Sequence, residues 1–212
     1  MSAFDPLRAY LERTSLAAGA PYSAKELDNL EKFFVPQTLR RGEFLQRVGE
    51  SVPYAAFVAA GCLRSYVIDS KGEEVILQFA PQNWWLGDSA FLTGGKTCEC
   101  FIDAITRAEL LVFDQGAFQK MMDETPIYAV NFRIAFQKSA AAKDRRIVDA
   151  LSRSVEERYL DFLKTYPAIA NQVPQRMLAS YLGVSPETVS RVRRHLSRRH
   201  VRNVSAGPSS RH

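Results

Sequence analysis

The stretch Val173-Pro174-Gln175-Arg176-Met177-Leu178-Ala179-Ser180-Tyr181-Leu182-Gly183-Val184-Ser185-Pro186-Glu187-Thr188-Val189-Ser190-Arg191-Val192-Arg193-Arg194-His195-Leu196 decides how the rest of the chain is read. Pro174 can open a first helix, and Leu178, Ala179 and Leu182 supply its inner face. Gly183 stands where that helix must end in a left-handed turn, which glycine adopts most cheaply. Ser185 is a good N-cap, Pro186 suits the first helical position, and Glu187 favours the positive end of the new helix dipole. Val189, Val192 and Leu196 form the expected buried stripe of the second helix, while Thr188, Ser190, Arg191, Arg194 and Arg198 occupy its other faces. This spacing predicts a helix-turn-helix with basic and hydroxyl side chains turned outward, the chemistry that the DNA major groove requires. The plain alternative is a helical hairpin with no nucleic-acid role.

Charge weighs against that alternative. Residues 1–150 carry 17 Lys/Arg against 19 Asp/Glu, whereas residues 151–212 carry 11 against 4. The last third of the sequence therefore holds all of the positive excess. A basic segment beside a near-neutral one fits a polyanion-binding module joined to a body with another task, or, more blandly, a solvated basic surface.

Upstream, residues 4–34 read as helices, with Ser23 and Glu26 at capping-box spacing ahead of Leu27, Leu30, Phe33 and Phe34. From about Val35, short β-branched and aromatic runs alternate with glycine-bearing turns around Gly42, Gly49, Gly61 and Gly72. Tyr54–Ala59, Leu63–Ile68, Glu74–Phe79, Phe101–Ile105 and Leu110–Phe113 read as strands, which suggests an antiparallel barrel or sandwich of roughly 80 residues. Phe118, Met121 and Met122 fit one short helix. Thr125-Pro126 then opens a long one, in which Ile127, Ile134, Ala141 and Val148 recur every seven residues, with Val130 and Leu151 at related offsets. Such a repeat marks a helix packed along another helix, or one buried against its own barrel. A further helical block follows over 151–166, with apolar Val155, Tyr159, Phe162 and Leu163.

These features together resemble the Crp/Fnr transcription regulators over nearly the whole chain: the Gly-punctuated roll at about 36–115, the long helix at about 126–150, and the Leu182–Arg191 run. The phrase Gln78–Trp85 is similar to a divergent branch of that family. The resemblance implies an α+β fold, with an N-terminal antiparallel, cyclic-nucleotide-binding-like β-roll and flanking helices over 1–125. It implies a dimerisation helix over 126–150, a winged helix-turn-helix over 151–204, and a flexible tail from 205 to 212. It also implies base reading by Glu187 and Arg191 and backbone contacts near Gln175 and Arg176, with Ser185, Thr188, Ser190 and Arg194 completing the DNA face. The chemistry agrees: Arg191 can bond bidentately to guanine, Glu187 can accept from cytosine, and a helix start suits phosphate. Pro186, which cannot hydrogen-bond, stands where a further base-reading residue is common, so the preferred DNA site should differ from that of better-known members.

The resemblance breaks at the ligand pocket. Cyclic-AMP-binding members hold the ribose with a Gly-Glu pair and the phosphate with a following Arg-Ser/Thr-Ala. Here those positions read Gly87-Asp88 and Cys98-Glu99-Cys100, and the long helix offers Lys143 and Asp144 toward the base. A buried phosphate without a cation is costly, and a neighbouring carboxylate makes it worse. The pocket is thus expected not to take cyclic AMP in the usual pose, and ordinary cyclic-AMP control is the alternative. Cys98 and Cys100 alternate as along a strand and read as two small buried hydrophobes rather than a thiol sensor.

No cofactor is expected. An iron–sulfur cluster needs about four Cys ligands, and only Cys62, Cys98 and Cys100 exist; the three histidines, His195, His200 and His212, all lie in the C-terminal part. No nucleophilic triad, metal-spaced cluster or phosphate loop is visible, so an enzyme is not expected. The N-terminal Met1–Asp5 lacks a signal-peptide pattern and no apolar run is long enough to span a bilayer, so a cytoplasmic protein without membrane attachment is expected. Its expected partners are double-stranded DNA, a second copy of the chain, RNA polymerase and an unidentified small-molecule effector.

Overall fold

Among the described residues, eight strands and eight helices follow one another. The computed structural model describes residues 2–51 and 54–205. Helices α1 (Asp5–Ala17) and α2 (Ala24–Glu31) come first, and Ser23 and Glu26 form the expected capping box at α2. The strands β1 (Val35–Leu39), β2 (Phe44–Gln46), β3 (Ala55–Ala60), β4 (Cys62–Ile68), β5 (Glu74–Pro81) and β6 (Trp85–Leu86) follow. Then come α3 (Ser89–Thr93), β7 (Phe101–Ala104), β8 (Ala108–Phe113), α4 (Gln115–Glu124), α5 (Pro126–Ser152), α6 (Val155–Thr165), α7 (Gln175–Leu182) and α8 (Pro186–Ser205). The chain divides into two compact units, one up to Arg145 and one from Arg146 on.

In the first unit all strand pairs are antiparallel, in two four-stranded sheets of order β1-β8-β3-β6 and β2-β7-β4-β5. This is the expected β-roll. Its interior is filled by alternate residues of each strand: Ala56 and Val58 of β3, Leu63 of β4, Ile102 and Ala104 of β7, Leu110 and Val112 of β8. The intervening residues Phe57, Ala59, Leu111 and Phe113 leave the opposite face of the first sheet, where they bury Leu7, Leu11, Leu27, Leu30 and Met121 of the helices. Period-two alternation thus serves two cores at once. Three strands were not legible in the sequence. β1 contains Pro36 and lies at a sheet edge, where a missing N–H is tolerated, while β2 and β6 are only three and two residues long.

A cross-brace absent from the sequence reading lies on the other face of the second sheet. Arg64 of β4 donates two hydrogen bonds to its cross-strand neighbour Asp103 (2.7 and 2.9 Å) and two to Glu74 (2.6 and 3.3 Å). Its guanidinium also sits 4.2 Å from the Tyr66 ring centroid, and Tyr66 stacks on Phe101. Arg64 and Asp103 are both buried, so three strands share one desolvated ion network.

The first turns of α5 pack on the helix core through buried Tyr128 and half-buried Phe132. Farther along, Phe136 (50% exposed), Ile147 (62%), Val148 (58%) and Leu151 (86%) lie in solvent. Burial against the protein's own body therefore explains only the beginning of the seven-residue repeat. The regular elements of the second unit are helices among its described residues. Among the described residues α8 continues to Ser205; the first Gly and Pro after Gly183 and Pro186 are Gly207 and Pro208. Residues 206–212 of the expected tail lie outside the described residues.

Gly61 and Gly72 both have positive φ, +83° and +80°, but only Gly61 is crowded. A Cβ there would come within 2.1 Å of the Arg107 carbonyl oxygen, whereas one at Gly72 would meet nothing within 4 Å. In urea denaturation, Gly72→Ala should cost only about 1–2 kcal/mol of left-handed strain. Gly61→Ala should cost about 3 kcal/mol or more, because the backbone must also move. Equal costs would contradict the close approach.

Candidate nucleic-acid interface and sensor pocket

The second unit is built to hold one helix pair. Phe162, Tyr166 and Tyr181 form an aromatic cluster with ring centroids 5.2–5.8 Å apart, and Leu178, Ala179, Leu182 and Val189 are buried beside it. Ser154 and Glu157 cap α6 reciprocally. The Leu182 carbonyl, at the end of α7, accepts from Arg158, and the Tyr181 carbonyl accepts from Arg146, which also lies over the Tyr181 ring. Gly183 is left-handed (φ 67°, ψ 38°) and closes α7 as expected. Ser185 accepts the Thr188 N–H at 3.3 Å, so the hydroxyl caps α8 with Pro186 in the first position. Of the predicted stripe, Val189 is fully buried and Val192 and Leu196 are half-buried.

The predicted DNA-facing residues fall into two groups. Arg176, Glu187, Arg191 and Arg194 are exposed, with Thr188 and Ser190 half-buried among them, and Arg191, Arg194, His195 and Arg198 line one shallow groove along α8. Arg191 donates to the Thr188 hydroxyl at 3.1 Å, which in turn lies 3.2 Å from that of Ser185. A polar chain from the cap therefore holds the Arg191 head. Glu187, four residues earlier, is kept below the ordinary carboxyl range by its own backbone N–H, the Ser185 hydroxyl and the Arg191 charge. Gln175 behaves differently: its side-chain amide donates to the Pro186 carbonyl at 2.7 Å and ties the start of α7 to the start of α8. The sequence reading missed Arg193, which turns away from the groove to donate to the Tyr159 hydroxyl.

The pocket residues of the first unit are brought together only in part. Asp88 is 2% exposed and caps α3 by accepting the Ala90 N–H on Oδ1 at 2.9 Å. Its Oδ2 accepts the N–H groups of Glu99 (2.8 Å) and Cys100 (2.9 Å) and the Gln46 side-chain amide (2.9 Å). Burial pushes the Asp88 pKa up, but the Ala90, Cys100 and Glu99 N–H groups outweigh it and hold the carboxyl below its ordinary value. Gly87 adjoins this cluster, and a Cβ there would come within 3.2 Å of the Ala55 Cβ. Lys143 and Asp144 are exposed on α5. Cys98 and Cys100 are buried and Glu99 is exposed, as the alternation predicted, but they precede β7 instead of lying in a strand. Burial, with the Asp88 and Glu50 charges, raises the Cys98 pKa, and burial with Asp88 raises that of Cys100. Neither thiol is poised as a nucleophile. Gln46, which the sequence offered no reason to select, is the residue that completes the cluster.

Residues 36–125 match the model of the cyclic nucleotide-binding domain family. Three solved structures are similar along most of the chain. The c-di-GMP-responsive global regulator CLP of Xanthomonas campestris is 15% identical, over 84% of this chain and 93% of that one, with a TM-score of 0.68. FixK2 from Bradyrhizobium japonicum is 21% identical, over 80% and 86%, with a TM-score of 0.66. A protein assigned to the crp/fnr family of transcriptional regulators from Eubacterium rectale is 16% identical, over 83% and 84%, with a TM-score of 0.62. The fold is that of the Crp/Fnr regulators. No curated protein matches the sequence. Within the Crp/Fnr fold, the family model ends at the last residue before α5 and leaves the helix-turn-helix to be judged on its own geometry. Among the described residues, no group of three or more His, Cys, Asp or Glu is arranged to hold a metal ion, and no helix is long and apolar enough to cross a membrane.

The Asp88 cluster has a pH signature. Its folded pKa is depressed, so its contribution to stability is complete above the unfolded value of about 3.9 and is lost as pH falls through the folded value. Asp88→Asn should therefore be less stable than wild type at pH 7, and should lose less stability between about pH 5 and pH 3. Parallel acid unfolding curves for the two proteins would contradict the assignment.

Proposed function

We propose that the chain is a homodimeric, sequence-specific DNA-binding transcription regulator, not an enzyme, whose β-roll senses a signal other than cyclic AMP. The observation that carries this reading is the capped pair α7–Gly183–α8, which presents Arg191, Arg194 and Arg198 on one face of a helix anchored on its other side by Val189. The Crp/Fnr fold supports it, and so does the concentration of positive charge in residues 151–212. In this assignment Arg191 reads guanine and Glu187 an adjacent cytosine. Arg176, Ser185, Thr188, Ser190 and Arg194 contact phosphates or bases nearby, and Gln175 acts by fixing α8 against α7. The exposed apolar residues Ile147, Val148 and Leu151 support a dimer through α5. RNA polymerase is the partner such a regulator would act on, and the cytoplasm is where it would work.

A second reading, control by a cyclic nucleotide, is favoured by the family match over residues 36–125. Against it stand the missing phosphate-binding arginine and the full engagement of Asp88. Calorimetric titration with cyclic AMP and cyclic GMP decides between them, and saturable heat at micromolar ligand would favour the second.

Selection of genomic fragments on the purified protein should return one recurring sequence, which then serves as the operator. Arg191→Ala should lose about 1–3 kcal/mol on the operator and relax preference at one base pair per half-site. Arg176→Ala should weaken binding to all sequences alike and lower the salt slope by about one unit per subunit. The opposite pattern would reverse the roles of the two helices.

Val148 is exposed, so Val148→Glu should leave each subunit folded while placing two like charges in the dimer seam. In sedimentation it should run as a monomer and lose tight operator binding. A variant that stays dimeric would place the interface elsewhere.

A further inference from the structure

The buried cluster around Asp88 has the chemistry of an anion site that is already filled. It draws on three separated segments: Gln46 of β2, the first turn of α3, and Glu99-Cys100 ahead of β7. Four N–H donors converge on one carboxylate at 2.8–2.9 Å, three of them from the main chain. Neutral N–H dipoles therefore balance the buried charge, as in backbone anion nests. The charges that bear on the neighbouring Cys98 and Cys100 thiols are themselves carboxylates, those of Asp88, Glu50 and Glu99. Among the described residues, Gln46 Oε1 is buried without a partner, and it is an acceptor. An incoming phosphate or carboxylate would find its donors taken, with an unsatisfied acceptor and carboxylates nearby.

We infer that the Asp88 carboxylate is the resident anion of the β-roll, filling the donor cradle of Ala90, Glu99, Cys100 and Gln46, so that the roll closes this cradle without an anionic effector and admits none there. The inference deepens the proposed function, since it rests on the β-roll being the sensing part of a regulator. It implies that the ligand-free protein already holds the cradle in its closed form. Any effector of this roll must then be neutral or cationic at this position, or bind elsewhere.

The test is thermal unfolding of the full chain without DNA, so that failure of the DNA-binding reading and failure of this inference remain distinguishable. Probes are formate, acetate, inorganic phosphate and cyclic AMP at about 10 mM, each against sodium chloride of equal ionic strength. Wild type should not respond to any of them beyond the chloride control. Asp88→Ala should melt lower, and formate or acetate should restore about 4 °C or more by placing a carboxylate back among the vacated donors. Asp88→Asn keeps the volume but sets an amide donor against the N–H groups, so it should melt lower and not be rescued. Should Asp88→Ala fail to stay folded, its refolding yield with and without formate carries the same readout. Absence of carboxylate-specific rescue in Asp88→Ala, or stabilisation of wild type by phosphate or cyclic AMP, would overturn the inference.

Discussion

The first sheet of the roll must bury both of its faces, and most of the molecule follows from that constraint. β3 and β8 carry small or branched residues inward (Ala56, Val58, Leu110, Val112) and larger ones outward (Phe57, Leu111, Phe113). The inward set lets the second sheet approach closely. The outward set is too apolar to meet water, so α1, α2 and α4 have to cover it. Trp85 joins the same outward layer, with its ring 5.0 Å from Phe57 and 6.0 Å from Phe113. With β6 pinned by that contact and paired to β3, Gly87-Asp88 is delivered to the place where Gln46 and the approach to β7 converge. The position of the pocket is thus a consequence of how the aromatic layer packs.

The roll holds two buried carboxylates and neutralises them in different ways. Asp103 faces a guanidinium, Arg64, in a pairing that adds strong directional bonds and braces β4 against β7 and the start of β5. Asp88 is balanced by N–H dipoles that converge on its two oxygens. The first arrangement suits a frame. The second closes three separated segments of the roll around one carboxylate.

The C-terminal unit divides its arginines by direction. Arg146 and Arg158 cap the end of α7, Arg193 leans on Tyr159, and Arg191, Arg194 and Arg198 share the outer groove of α8. Net positive charge alone would not distinguish these uses. Helix geometry does, because residues three, four and seven apart share a face. The Ser185–Thr188–Arg191 chain adds preorganisation: the cap that starts the helix also holds the Arg191 head.

Much was legible in the sequence because it depends on neighbours along the chain. The Ser23–Glu26 capping box, the left-handed Gly183, the Ser185 cap, the start of α5 at Pro126 and five of the eight strands follow from local periodicity and turn chemistry. The exposed face of α8 follows as well, since helical spacing assigns faces without reference to the rest of the fold. The parts that were not legible depend on residues distant in sequence. Gln46 meets Asp88 across 42 positions and Arg64 meets Asp103 across 39, and no local pattern encodes either pairing. A helix start suits anions, so the sequence predicts a phosphate contact at Gln175; the Pro186 carbonyl that engages its amide comes near only when α7 and α8 pack. Cys98-Glu99-Cys100 showed that a phosphate would lack its cation. Only the tertiary structure showed that the donors there already hold a carboxylate, because hydrogen-bond partners are settled by which segments the two sheets bring together.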